Sequence, residues 1–184
     1  MRRIFSSLWV LGLGTLVIFP LLAWPVLYFS DTPFWSIFEV SYEELFSIPT
    51  FLSAGIIFGL MVIWMSELSY FEDSLARYRN ILKDVRINRF SAFFLSVCAG
   101  FGEEIFFRGA LQPLLGVIIT AVLFVGIHGY FSIKNWKVNV FSISLTLFIM
   151  LLGWASREFS IWHAIAGHFS YDLVLLMYHA RQSR

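Results

Sequence analysis

With 184 residues, 59% of them hydrophobic and only 14% charged, the chain lies well below the roughly 25% charged fraction of soluble domains, which excludes a soluble globule and points to one integral membrane domain. A net charge of +1 gives no reason to expect nucleic acid or an acidic partner. Its one cysteine, Cys98, forbids an internal disulfide and reads as a small packing residue in an apolar setting.

A helix needs about 20 mostly apolar residues to cross the hydrocarbon, and in chain order six stretches qualify: 8–29, 48–66, 91–112, 117–133, 138–156 and 159–178. The first follows Arg2 and Arg3 as a signal peptide does. It runs too long, contains Pro20 and Pro25 and lacks a clear small-residue cleavage site, so it reads as a spanning helix. The loop at 31–47 carries Asp31, Glu39, Glu43 and Glu44 and no basic residue. Between the second and third stretches, SELSYFEDSLARYRNILKDVRINR (66–89) is charged and amphipathic, the pattern of a helix lying at the membrane interface. Pro113 and Gly116 in LQPLLG mark a tight turn between the third and fourth helices. The expected fold is all-α: a polytopic transmembrane bundle of about six spans. Residues 1–90 would supply two helices and the amphipathic segment, and 91–184 a core of four helices. No internal repeat or low-complexity tract is visible.

Lysine and arginine placement sets orientation. Of the thirteen, all but Arg108 and Arg157 fall in loops and tails on one side if the chain crosses six times. They are Arg2, Arg3, Arg77, Arg79, Lys83, Arg86, Arg89, Lys134, Lys137, Arg181 and Arg184. The expected topology is therefore six crossings of the cytoplasmic (inner) membrane with both termini cytoplasmic. Trp35, Trp136 and Tyr178, near span ends, suit interfacial belts.

Against this background AGFGEEIFFRGAL (99–111) stands out, because an ionised carboxylate in hydrocarbon is costly and usually functional. Glu103 and His128 lie equally far on either side of the 113–116 turn, each about 18 Å below it at helical rise. The last helix starts from the same side and brings His168 and Asp172 down about 13–20 Å. Three helices thus deliver Glu103, His128, His168 and Asp172 to one layer, slightly toward the cytoplasmic side. Glu104 and Arg108 are four apart and share a face, as do Phe124 with His128 and His168 with Asp172. A buried ion-pair network fastening helices together is the plainer reading of the first cluster. One arginine cannot neutralise two carboxylates, however, so one acid is left to act. His163, off the face of His168, is expected to be structural or interfacial, and His179, at the inner edge, has no assigned role. Gly100, Gly102, Gly109 and Gly126 are expected to permit close helix approach.

A carboxylate facing an imidazole can hold and deprotonate a water, and shielding both from bulk solvent suits them to acid–base work. A second imidazole across the site could stabilise an oxyanion. Together these suit amide hydrolysis by activated water. No serine or cysteine is placed as a nucleophile: Ser170 is on another face from His168, and Cys98 is away from Glu103. There is no His-Glu-x-x-His signature. Zinc at His128, His168 and Glu103 is disfavoured, although two histidines and a carboxylate can form an open zinc site.

Glu103-Glu104-x-x-x-Arg108, Phe124-x-x-x-His128 and His168-x-x-x-Asp172, in that order on successive helices, resemble the CAAX-protease and bacteriocin-processing family of intramembrane glutamic endopeptidases. The resemblance covers roughly 91–178. It implies that Glu103 and His128 activate the water, that His168 and Asp172 form the oxyanion site, and that Glu104 and Arg108 orient and tune Glu103. It also implies a membrane-anchored protein or peptide substrate, met within the lipid bilayer, and no cofactor. The family's prenyl-protein proteases most often carry Asn at the last motif position. Asp172 departs from them, and as an ionised group it would repel an oxyanion unless it is protonated or orients His168. Bacteriocin-related and sorting-tail processing belong to the same family. Two alternatives stay open on sequence alone: a zinc-dependent membrane protease, and a non-catalytic membrane carrier or immunity factor.

Overall fold

The computed structural model describes residues 2–68, 70–71 and 87–182, with side chains from Leu8 onward. The described residues form helices and no strand. In chain order these are α1 (Arg2–Phe29), a 3₁₀ turn (Phe34–Phe38), α2 (Tyr42–Leu45), α3 (Ile48–Glu67), α4 (Arg89–Glu104), a π-helical segment (Ile105–Leu111), α5 (Gln112–Ile127), α6 (Trp136–Glu158) and α7 (Ile161–Gln182). Most of the expected interfacial helix at 66–89 lies outside the described residues.

Local chemistry sets the ends of these elements. Ser41 caps α2, its hydroxyl accepting from the Glu44 amide while the Glu44 carboxylate accepts from the Ser41 amide. Asn88 caps α4 in the same reciprocal way with Ser91. Pro49 sits in the first turn of α3, where its missing N–H costs nothing. At the other end of α5 the chain leaves through Gly129, whose φ of +73° favours glycine. The Tyr130 amide there reaches back to the Val125 carbonyl.

Four helical stretches are long and apolar enough to cross a membrane: Leu8–Phe29, Tyr42–Glu67, Arg89–Ile127 and Trp136–Glu158. Large apolar side chains point outward on each, among them Leu21, Ile57, Ile118 and Leu147, as a lipid-facing surface requires. Arg89–Ile127 is not one straight rod. Gly116 has φ 77° and ψ 167°, outside helical geometry, and the chain folds back there. A straight helix would hold residues 103 and 128 about 37 Å apart, whereas their side chains meet at 3.5 Å.

α7 is the central helix, packing against α3, α4, α6 and the π-helical segment. Its hydropathy is lowered by His163, His168 and Asp172, yet its first half is the most enclosed part of the molecule. Protein surrounds it, and protein groups satisfy its polar side chains. Glycine makes the close approaches: Gly55 of α3 lies against the Gly167 carbonyl and Ser170 hydroxyl of α7, and Gly100 of α4 against Phe169. A Cβ on Gly102 would come within 2.5 Å of the Thr15 carbonyl oxygen on α1. Between lipid-soluble helices such backbone contact supplies the packing that a hydrophobic effect cannot. Gly126 departs from expectation, with only the Phe131 ring nearby at 3.8 Å.

Candidate active site

Neighbouring residues on a helix point about 100° apart, so the twin acids at the end of α4 serve different partners. Glu103 faces α5, where His128 Nε2 lies 3.5 Å from its Oε2. Glu104 faces α7 and the helix interior, with no exposed surface. Arg108 Nε donates to Glu104 Oε2 at 2.8 Å, and His168 Nδ1 donates to Oε1, also at 2.8 Å. Both oxygens of Glu104 are thus committed, and its bonds run to His168 rather than to Glu103. Among the described residues Glu103 has no arginine or lysine partner, and His128 is the ring it faces. Glu103 Oε2 is a buried oxygen with no hydrogen-bond partner among the described residues.

The π-helical segment begins immediately after these acids and carries Arg108. Its wider turn inserts an extra residue between α4 and α5, a distortion that recurs at functional sites. From it Arg108 also donates through Nη2 to the Ile149 carbonyl of α6 at 3.2 Å and through Nη1 to Gln112 Oε1 at 3.4 Å. Gln112 Nε2 donates to the Gly153 carbonyl at 2.8 Å.

His128 ends α5. A carbonyl can only accept, so the 2.7 Å contact from His128 Nδ1 to the Phe124 oxygen places the ring hydrogen on Nδ1. In the neutral ring the Nε2 lone pair is then aimed at the Glu103 carboxylate. Two acceptors 3.5 Å apart can share one proton donor. The His128 side chain is 32% exposed, so this pair lies at the edge of the bundle while Glu104 and Arg108 lie in its interior.

Phe124 joins the two halves. Its ring stacks on His128 with centroids 4.6 Å apart, meets His168 edge-on at 5.6 Å and lies 5.8 Å from the Arg108 guanidinium carbon. The Tyr130 ring lies nearly parallel to His128, with centroids 6.2 Å apart. His168 is buried, and its Nε2 stands 3.5 Å from Asp172 Oδ2. Glu103, Glu104, Arg108, His128, His168 and Asp172 therefore form one connected cluster on α4, the π-helical segment, α5 and α7.

Sequence reading missed Gln112 and Gly153. The signal for Gln112 was present: Glu104, Arg108 and Gln112 continue at intervals of four through an apolar run. His163 lies apart from the cluster. Its Nδ1 meets the Ser160 hydroxyl at 3.0 Å and its Nε2 the Ser47 hydroxyl at 2.7 Å, tying the start of α7 to that of α3. Among the described residues no group of three or more His, Cys, Asp or Glu side chains is arranged to hold a metal ion.

A model of the type II CAAX prenyl endopeptidase Rce1-like family matches residues 86–174, a stretch containing all six clustered residues. No curated protein and no solved structure matches the chain. Residues 86–174, which carry the acids, the arginine and both histidines of the cluster, are thus similar to the type II CAAX prenyl endopeptidase Rce1-like family, a family of membrane proteases.

Proposed function

We propose that the protein is an intramembrane endopeptidase that cleaves a membrane-anchored protein or peptide with a water activated by Glu103 and His128. The observation that carries this reading is the unpartnered Glu103 Oε2 facing His128 Nε2 across 3.5 Å. A water seated beside the pair donates one hydrogen to each. As its oxygen attacks the scissile carbonyl carbon, Glu103 takes the proton, and the carbonyl π pair moves onto oxygen. His168 Nε2–H donates to that oxyanion, and Asp172, at 3.5 Å, orients the ring until the charge develops. Collapse of the tetrahedral intermediate breaks the C–N bond, and the proton held by Glu103 passes to the leaving amine. Glu104 and Arg108 act behind His168.

In the same reading the folded-back stretch at Gly116 and the enclosed α7 each add a crossing to the four apolar stretches, giving six, with both termini in the cytoplasm. The family points to a CAAX-type substrate, cut in the cytoplasmic half of the inner membrane without a metal.

The test is cleavage of a membrane-tethered CAAX peptide by the purified protein in vesicles. Glu103→Gln and His128→Ala should each lower turnover by at least about 10²-fold, the lower range for loss of a general base, with thermal stability retained. A strong chelator should leave the rate unchanged. Full activity in Glu103→Gln would remove the proposal. Retained biological function of that variant without any cleaved product would assign the protein a non-catalytic role.

A further inference from the structure

Arg108 and Gln112 lie one above the other and reach the same neighbouring helix. Arg108 Nη2 donates to the Ile149 carbonyl, and Gln112 Nε2 to the Gly153 carbonyl, each bond spanning 41 residues of sequence. Both acceptors are on α6 and are four residues apart, so the two bonds are parallel rungs between helices. Gln112 Oε1 in turn accepts from Arg108 Nη1 at 3.4 Å. The side chains of Glu104 and Arg108 have no exposed surface, and Gln112 is buried. Gly153 makes the second rung possible. A Cβ there would stand 2.5 Å from Gln112 Oε1 and 3.4 Å from Arg108 Nη1, so any side chain would push the amide off its carbonyl.

A buried guanidinium has five N–H groups to place, and a long side chain held by only two bonds can swing. Gln112 takes up a third direction and closes the fork. The guanidinium so fixed sets Glu104 Oε2, and Glu104 Oε1 sets His168 Nδ1. We infer that Gln112, seated on Gly153, is a positioning residue that fixes the His168 imidazole through Arg108 and Glu104. This deepens the proposed function and rests on it for the role of His168, although the relay itself is geometric. Gln112 lies outside the motif residues, and its side-chain hydrogen bonds run to Arg108 and the Gly153 carbonyl, so it acts through Arg108.

The experiment uses the full chain in lipid vesicles and reads two signals. One is the ¹⁵N ring resonances of His168, assigned by their loss in His168→Gln. The other is kcat and KM on a farnesylated, quenched-fluorescence CAAX peptide. Gln112→Met keeps the volume and removes both polar atoms. It should shift the His168 ring resonances and lower kcat roughly ten-fold, as a small misplacement of a catalytic group does, with KM changed less than about two-fold. Gly153→Ala, which leaves Gln112 in place, should reproduce both effects and covers the case that Gln112→Met fails to fold. Glu103→Gln should abolish cleavage while leaving the His168 resonances where they are. Unchanged His168 resonances in a folded Gln112→Met or Gly153→Ala protein would overturn the inference, whatever the peptide does. An uncleaved peptide, or a fully active Glu103→Gln, would instead remove the proposed function.

Discussion

Glu103 and Glu104 are adjacent, chemically identical and buried, yet their surroundings give them opposite characters. Glu104 is held by two charge-assisted bonds at 2.8 Å, from Arg108 and His168. Removing Arg108 would strand a carboxylate in the interior, and breaking one partner of a buried pair costs about 3–5 kcal/mol. Arg108→Met should therefore lower the midpoint of thermal unfolding in detergent sharply. Glu103→Gln removes no such pair and should shift stability by no more than about 1 kcal/mol, in the range of ordinary substitutions. Equal destabilisation by the two variants would contradict the division of roles. The sequence already stated that one arginine serves one acid. Which acid it serves depended on the helix phase around the π-helical segment and on what α7 brings opposite it.

At the scale of elements, the fold-back at Gly116 is what brings His128 to Glu103. Its φ of 77° with ψ 167° lies in a region that only glycine occupies without strain. No atom lies within 4 Å of where a Cβ would stand, so a substitution there is penalised by the backbone alone. Gly116→Ala should cost about 1–3 kcal/mol. Gly14→Ala, in an α1 helix with only Ile18 nearby at 3.8 Å, should be neutral or raise stability by about 0.5–1 kcal/mol. Thermal unfolding of the two alanine variants against wild type measures the contrast. Nearby, the buried Thr120 hydroxyl has no hydrogen-bond partner among the described residues. A helical threonine or serine usually donates to the carbonyl four residues back, as Ser96 does to Ala92. Proline and glycine in LQPLLG made the turn visible in the sequence, because both residues act through backbone geometry that needs no tertiary partner.

For the molecule as a whole, the proposed six crossings make the loop at 31–47 and the Gly116 turn external and the segment around Lys134 internal. In a Cys98→Ser background, a membrane-impermeant maleimide applied to intact cells should label Glu43→Cys and Leu115→Cys. It should label Lys134→Cys only after permeabilisation. Labelling of position 134 from outside would invert the topology, and protection of position 115 from outside would show that α4 and α5 do not form a spanning pair. Apolar length alone finds four stretches, because it runs the third and fourth helices together and passes over α7. α7 is the instructive case. Its histidines and aspartate make it too polar to stand in lipid alone, but its first half is enclosed by α3, α4 and α6.

By itself the sequence determined that the chain is helical and membrane-embedded, and it set apart two acids, an arginine, two histidines and an aspartate as the candidate chemistry, with 104/108 and 168/172 each four residues apart. Composition and spacing are properties of single helices, and the cost of burying charge attaches to each residue separately. Only the tertiary structure decided which carboxylate is neutralised, that Phe124 joins the two histidines, and that Gln112 and Gly153 brace the arginine against α6. Those outcomes depend on which helix faces which and at what height, and they follow from close packing of glycine against backbone rather than from any local pattern.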